Sequence, residues 1–272
     1  MTLEVTPDVL ATEIIALLPE DGTPVVNRVM RTMLARRLGT RIDDGDYFAA
    51  IGQLAAQNAI GRARGRGGSI FLSSDLPAPV EYPATAGGRQ EEWSEASLMA
   101  PTRRFLEQEF STSLDLPPGA TCVVTDTSTA GPREGQWARP DFILVSVMRF
   151  QIVPGSQLDV HSFELKTEAG GSVQAVHEAL AQTRFTNFGH LVWHVPFGSK
   201  VEAKLPEIET HCDKHGIGLI IIRDPNDIES WETLLDGAPK KTNAATIDAF
   251  LMSRLPPVHR EKITRAAFGE RS

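Results

Sequence analysis

The chain has 272 residues, 41% of them hydrophobic, and a formal net charge of −8 at pH 7. This length suits one large or two modest domains, and no apolar run approaches the roughly 18 residues that a membrane span needs. The acidic N-terminus lacks the pattern of a secretory signal, and Cys122 and Cys212 are too few for a disulfide framework. These features favour a cytoplasmic protein without membrane contact. The net charge leaves room for local basic patches that bind nucleic acid.

The first unit, residues 1–74, has apolar residues at helical spacing, which predicts three helices at about 7–18, 24–38 and 43–57. A Gly-rich stretch at 59–73 then predicts a β-hairpin. Three helices followed by a hairpin resemble a winged helix-turn-helix domain.

Three arginines alternate through the predicted hairpin and therefore project from one side of it: Arg62, Arg64 and Arg66. Phosphate contacts from these residues would be independent of DNA sequence and sensitive to salt. Acidic residues at the start of the third helix, among them Asp43 and Asp46, would repel phosphate. We expect the unit to bind DNA through this hairpin, which corresponds to the wing of a winged-helix domain. Contact with another protein is the alternative.

Proline and small residues mark a linker at 75–89, and the remaining chain divides into a unit at 90–236 and a helical tail at 237–272. The second unit has the pattern of a helix, three strands, a helix, a strand, a helix and a strand. Such an order predicts an α/β (α+β) fold in which helices flank a mixed central sheet. The tail predicts one amphipathic helix at 244–255, followed by a polar end that frays.

Two predicted strands carry charged residues in an otherwise apolar context. Asp141 opens the first, and Glu164 and Lys166 share one face of the second, with Leu165 on the other. Buried charges are costly unless they are paired or bound to a ligand. Two carboxylates beside a lysine suit a site for a hard cation and a phosphodiester. The alternative is that Asp141 is a turn residue and that Glu164 and Lys166 form an ion pair on a solvated strand.

The Pro140-Asp141 and Glu164-Leu165-Lys166 motifs, with the helix and strand that follow, resemble the PD-(D/E)XK, or restriction-endonuclease-like, nuclease superfamily over about residues 91–236. Glu95 lies in the leading helix, where that family often has a further acidic residue. Gln174 matches a polar helix residue found in several branches of the family.

The resemblance implies that Asp141, Glu164 and the carbonyl of Leu165 bind Mg²⁺, for which Mn²⁺ could substitute. Lys166 would orient the attacking water or help to deprotonate it. Glu95, as a further catalytic residue, would complete the metal shell or bind the cation through a water, with Gln174 in a supporting role. No small-molecule cofactor is expected, because a phosphate-binding glycine loop and a nucleophile motif are both missing from the sequence.

These features predict a metal-dependent endonuclease that hydrolyses phosphodiester bonds in DNA, in a setting such as bacterial restriction or phage defence. Cleavage of both strands would favour a homodimer, because each site cuts one strand. The alternative is a DNA-binding regulator in which an inactive nuclease-like scaffold serves dimerisation or sensing. A second metal site formed by His211, Cys212 and His215 is less favoured, because no further ligand is evident nearby. His190 and His194 are expected to be packed or hydrogen-bonded.

Overall fold

The computed structural model describes residues 5–63, 69–73, 93–130, 139–150, 152 and 154–269. The predicted linker at 75–89, Arg64 and Arg66 lie outside these residues. The N-terminal unit consists of α1 (Pro7–Leu17), β1 (Val25–Val26), α2 (Asn27–Leu38), α3 (Asp44–Ala56), β2 (Ile60–Ala63) and β3 (Ser69–Leu72).

The three predicted helices and the hairpin of the N-terminal unit are confirmed. The carboxylate of Asp43 caps α3 by accepting hydrogen bonds from the Gly45 and Asp46 N–H groups. Helix α2 begins later than predicted because Val25 and Val26 form a strand. The unit therefore has a three-stranded antiparallel sheet in the order β1-β3-β2. Its assignment as a winged-helix domain stays a prediction.

The second unit and the tail contain α4 (Glu95–Phe105), a π-helical turn (Leu106–Phe110), α5 (Ser111–Ser113), β4 (Thr121–Asp126), β5 (Phe142–Arg149), β6 (Ser156–Lys166), α6 (Val173–Gln182), β7 (Phe188–His194), α7 (Leu205–His215), β8 (Gly218–Ile222), β9 (Glu232–Leu235), α8 (Ala244–Arg254) and α9 (Pro257–Phe268). The six strands form one sheet in the order β4-β5-β6-β7-β8-β9. Strands β6, β7 and β8 are parallel, and the other neighbours are antiparallel. The mixed sheet flanked by helices is confirmed.

Alternation along the strands assigns each helix to a face of the sheet. Phe142 and Leu165 pack in one cluster with α4 and the π-helical turn. Ile143 packs against α8 and α9 on the opposite face. Trp193 lies on that same face and packs against α6 and α7. Glu164 and Lys166, on the opposite side of β6 from Leu165, therefore face α6.

The N-terminal unit packs directly on the second unit, because α3 lies against α7. Buried residues of α1, α2 and α3 belong to the same hydrophobic cluster as those of α6, α7 and the adjoining strands. Arg62 of the hairpin is thus brought close to Glu209 of α7.

Several sequence predictions differ from the structure in detail. The sequence pattern predicts the last two helices of the second unit at about 173–187 and 201–215; in the structure α6 ends at Gln182, and α7 begins at Leu205 after a 3₁₀ segment. The prediction of a frayed polar end is wrong, because α9 is an ordered helix that buries Ile263 against the sheet. Helix α4 continues through Pro101 to the π-helical turn. Among the described residues, no helix combines the length and apolar character that crossing a membrane requires.

Candidate active site

The carboxylate of Asp141 is fixed at the point where the ladder between β5 and β6 ends. Its Oδ2 accepts a hydrogen bond of 2.8 Å from the Leu165 N–H. The Asp141 N–H donates to the Phe163 carbonyl at 3.0 Å, and its carbonyl accepts from the Thr127 N–H at 2.8 Å. The Asp141 side chain therefore continues the hydrogen bonding of β6 beyond the last strand pair, so the simple turn role does not describe it.

The backbone N–H and C=O of Leu165 both face this site. In a strand, the N–H and C=O of one residue point toward the same neighbouring strand. Since the Leu165 N–H donates to Asp141, its carbonyl also faces the Asp141 side. The Leu165 side chain is buried in the core. The predicted division of Leu165 into a core side chain and a site-facing backbone is consistent with this geometry.

Glu164 and Lys166 form a hydrogen-bonded network with α6. Lys166 Nζ lies 2.7 Å from Glu164 Oε1 and 2.8 Å from Glu178 Oε2. Gln182 Nε2 donates to the other carboxylate oxygen of Glu164 at 2.5 Å. The ion pair of the alternative interpretation is therefore present, but its strand is not solvated, because Glu164 is only 9% exposed on a central strand.

The same network keeps Lys166 positively charged. Burial alone would lower the pKa of Lys166, but the adjacent carboxylates of Glu164 and Glu178 outweigh burial and raise it above its usual value. For Glu178, burial acts to raise the pKa, but the hydrogen bond and charge of Lys166 prevail and lower it. Lys166 therefore supplies a fixed positive charge and donors, rather than a base that accepts a proton near neutral pH.

The two acids, Asp141 just before β5 and Glu164 in β6, hold their protons more tightly than usual. The pKa of Asp141 is raised to about 6: burial is the largest cause and the charges of Glu95 and Asp126 add to it, while the Leu165 N–H and the charge of Lys166 oppose it. Burial and the charge of Asp141 raise the pKa of Glu164 to about 7. A bound cation would offset the repulsion between these carboxylates and favour their ionised forms, as metal ions do at their binding sites.

The predicted supporting residues occupy different positions. Glu95 is the first residue of α4 and is exposed, yet its charge acts on Asp141. Gln174 does not reach the carboxylates of the strands; its Nε2 donates to Glu178 Oε1 at 3.1 Å. It therefore acts through Glu178, which in turn binds Lys166.

Three residues of this network were missed by the sequence interpretation: Asp126, Glu178 and Gln182. Glu178 and Gln182 lie one and two turns after Gln174, so they share its face of α6. That spacing was a usable signal once Gln174 had been chosen. Asp126 ends β4 and has no comparable signal in the sequence.

The one arginine of the predicted wing within the described residues is turned toward the protein. Arg62 Nη1 lies 3.6 Å from Glu209 Oε1 of α7, and the arginine side chain is 21% exposed. Its contact with DNA stays a prediction.

The histidines have structural surroundings. His161 Nδ1 and His190 Nε2 are 3.1 Å apart in the interior, and His194 is buried with its ring 6.4 Å from that of Trp93. Cys212 is fully buried. Within the described ranges, no three His, Cys, Asp or Glu side chains are grouped to hold a metal ion. This holds for the alternative site on α7 and for the Asp141 site alike; the Asp141 site has two carboxylates, to which the Leu165 carbonyl would add a third oxygen.

Comparisons with known proteins give no family. No protein-family model matches the chain, and no curated protein matches it. Among solved structures, a protein of unknown function from Silicibacter pomeroyi is 15% identical, over 64% of this chain and 92% of that one, with a TM-score of 0.34. The DNA modification-dependent restriction endonuclease AspBHI is 15% identical, over 63% of this chain and 58% of that one, with a TM-score of 0.21. Both scores are too low to support an argument about function.

Proposed function

We propose that this chain is a metal-dependent endonuclease that hydrolyses phosphodiester bonds in DNA. The observation that carries the proposal is the joint geometry of the β5 and β6 ends. Asp141 accepts a hydrogen bond from the Leu165 N–H. Glu164 and Lys166 precede and follow Leu165 on the same strand and form an ion pair. This arrangement agrees with the PD-(D/E)XK resemblance of the two motifs.

A divalent cation fits the donors at this site. Asp141, Glu164 and the Leu165 carbonyl would hold Mg²⁺ or Mn²⁺ through hard oxygen atoms, and Mg²⁺ needs only one or two carboxylates because it keeps several waters. When bound, such a cation stabilises the negative charge that develops on the phosphate. Burial is the largest cause of the raised pKa values of Asp141 and Glu164, with neighbouring carboxylates adding to it, and a bound cation would favour the ionised form of both acids.

The lysine and its neighbours have separate roles in this proposal. Lys166 remains protonated and places positive charge and N–H donors beside the scissile phosphate. Glu178 and Gln182 are positioning residues, since the first holds Lys166 and the second holds Glu164. Glu95 adds to the negative potential that attracts the cation.

The N-terminal unit would bring the second unit, which contains the candidate active site, to its DNA substrate. Three helices, a short first strand and a terminal hairpin support its assignment as a winged-helix domain that contacts duplex DNA through Arg62, Arg64 and Arg66. Cleavage of both strands would be carried out by a homodimer. Restriction or phage defence in the cytoplasm is the proposed setting.

Incubation of purified protein with plasmid DNA, in Mg²⁺, Mn²⁺ or EDTA, tests the proposal. We expect cleavage that requires the cation and is lost in Asp141→Asn and Lys166→Ala. Lys241→Ala and Asp248→Asn change exposed residues of matching type and should cleave as the wild type does. Cleavage that survives in EDTA or in the site variants would refute the proposal, as would no cleavage of any nucleic acid offered.

A DNA-binding regulator remains the second candidate because the Lys166 ammonium is already paired with two carboxylates. A purely structural ion network would also look like this. Duplex binding that is equal in the wild type and in Asp141→Asn, with cleavage in neither, would favour the regulator.

A further inference from the structure

The N-terminal unit docks on α7 through two arginine–acid contacts beside an apolar interface. Arg31 Nη1 of α2 lies 2.8 Å from Asp213 Oδ2, and Arg62 Nη1 of β2 lies 3.6 Å from Glu209 Oε1. Helix α3 also packs against α7. The interface thus uses Arg62, one of the three arginines of the predicted hairpin, as one of its ionic contacts.

The contact between Arg62 and Glu209 is loose for a buried ion pair. Glu209 is 1% exposed, and at 3.6 Å the two groups are beyond hydrogen-bond distance. Neither oxygen of its carboxylate accepts a hydrogen bond within the part of the chain that the structure describes. A buried pair is stabilising only when good geometry offsets the loss of hydration, so this contact is poorly suited to hold Arg62 against a better anion.

A DNA phosphate is a better partner for an arginine. It accepts two charge-assisted hydrogen bonds from one guanidinium and releases counterions when it is neutralised. Arg62 is partly buried, with 21% of its side chain exposed, and the exchange requires its long side chain to turn outward from the short strand β2. The carboxyl group that it leaves can take up a proton, because burial raises the pKa of Glu209 to about 7 even with the opposing charge of Arg62.

We propose that Arg62 exchanges Glu209 for a backbone phosphate of duplex DNA, so that DNA binding by the hairpin loosens the docking of the N-terminal unit on α7. This inference rests on the DNA contact of the proposed function, but not on its cleavage activity. Glu209 is a competitive internal anion: it occupies the arginine when DNA is absent and lowers the affinity of the hairpin for DNA.

Duplex affinity measured by fluorescence anisotropy in EDTA, where metal-dependent cleavage does not intervene, tests the exchange. Glu209→Gln should bind a 20-base-pair duplex roughly 3- to 10-fold more tightly, up to about 1.4 kcal/mol, because Arg62 no longer has an internal anion. Arg62→Ala should bind more weakly, and Glu209→Gln should have no effect when Arg62 is already alanine. Glu261→Gln removes the same charge from an exposed pair with Arg265 on α9 and controls for net charge.

The outcomes separate the exchange from the nuclease proposal. If Arg62→Ala weakens binding but Glu209→Gln does not strengthen it, the exchange is wrong while DNA contact by the hairpin stands. If neither variant alters binding, or the wild type does not bind duplex, both the exchange and the wing contact are refuted. Hydrogen exchange of the wild type gives a second test: duplex should increase exchange in α3 and α7. Unchanged or reduced exchange there would contradict the proposal.

Discussion

Two buried glutamates, Glu164 and Glu209, show how differently this protein treats the same group. Burial is the largest cause that raises the pKa of each to about 7. Glu164 is held by Lys166 at 2.7 Å and Gln182 at 2.5 Å, whereas Arg62 lies 3.6 Å from Glu209. The first carboxylate is hydrogen-bonded on both oxygens, and the second is in a loose ion pair.

The difference follows from where the partners come from. Lys166 is two residues along β6 from Glu164, and Gln182 lies in the helix that packs on that strand, so one local β-α unit fixes the group. The partner of Glu209 belongs to another unit of the chain and is held only by the docking of that unit on α7. A locally fixed acid suits chemistry that needs constant geometry. An acid at an interface suits exchange of partners.

The same isosteric change at the two sites should separate these roles most strongly. Glu164→Gln removes a proposed cation ligand, so we expect plasmid cleavage to fall roughly 100- to 1,000-fold, the scale for losing one strong electrostatic contact. Glu209→Gln should retain at least the wild-type rate at saturating DNA. Initial rates under Mg²⁺ measure both. Equal losses in the two variants would show that Glu164 has no special role.

The second-largest effect that we expect is on the pH dependence of the unfolding free energy, to which Glu209 contributes. An unfolded glutamate has its ordinary pKa near 4.3, while the folded pKa of Glu209 is about 7. The folded protein therefore binds the proton more tightly, and this contribution to stability is lost as pH rises between these values. The groups that act on Glu209 are Arg62, Asp213, Glu232 and Arg31, and it also lies within electrostatic range of Tyr47.

The Glu209→Gln variant lacks this loss of stability with rising pH, because glutamine does not ionise. At pH 8 we expect it to be more stable than the wild type by on the order of 3–4 kcal/mol, with the difference nearly gone at pH 4. Urea unfolding at both pH values measures it. A variant less stable than the wild type at pH 8 would mean that ionised Glu209 strengthens the interface, and the description of the pair as loose would then be wrong.

The candidate site was more predictable than its supports, because strand alternation is a local property. It placed Glu164 and Lys166 on one face and buried Leu165 on the other, and the order of strands brought Asp141 beside them. Glu178 and Gln182 depend on how α6 docks on β6, which no local pattern specifies. The pair of Arg62 and Glu209 depends on the docking of two units far apart in sequence. Strand β9 was missed because Glu232–Leu235 is short and begins with polar residues.

Gln182 tests whether the hydrogen bonds of Glu164 make that site rigid. Gln182→Leu leaves a buried carboxylate oxygen without its donor, which costs about 1–3 kcal/mol of unfolding free energy. We expect the loss at pH 8 to exceed that at pH 5, because only the ionised acid needs the donor fully. Gln174→Leu, at an exposed position of the same helix, should change stability by about 0.5 kcal/mol or less. Similar effects of the two variants would indicate that Gln182 only fills space.

The salt dependence of DNA binding gives the smallest effect and bears on the loose pair. Each arginine that neutralises a phosphate adds about 0.9 to the slope of log affinity against log salt. We therefore expect Arg62→Ala to reduce that slope by about 1, and Arg265→Ala, at an exposed residue of α9, to leave it unchanged. The reduction should be the same with Glu209 or with Gln at that position, because the released counterions come from DNA. A reduction only in the Glu209→Gln background would mean that the wild-type arginine stays with its internal acid when DNA is bound.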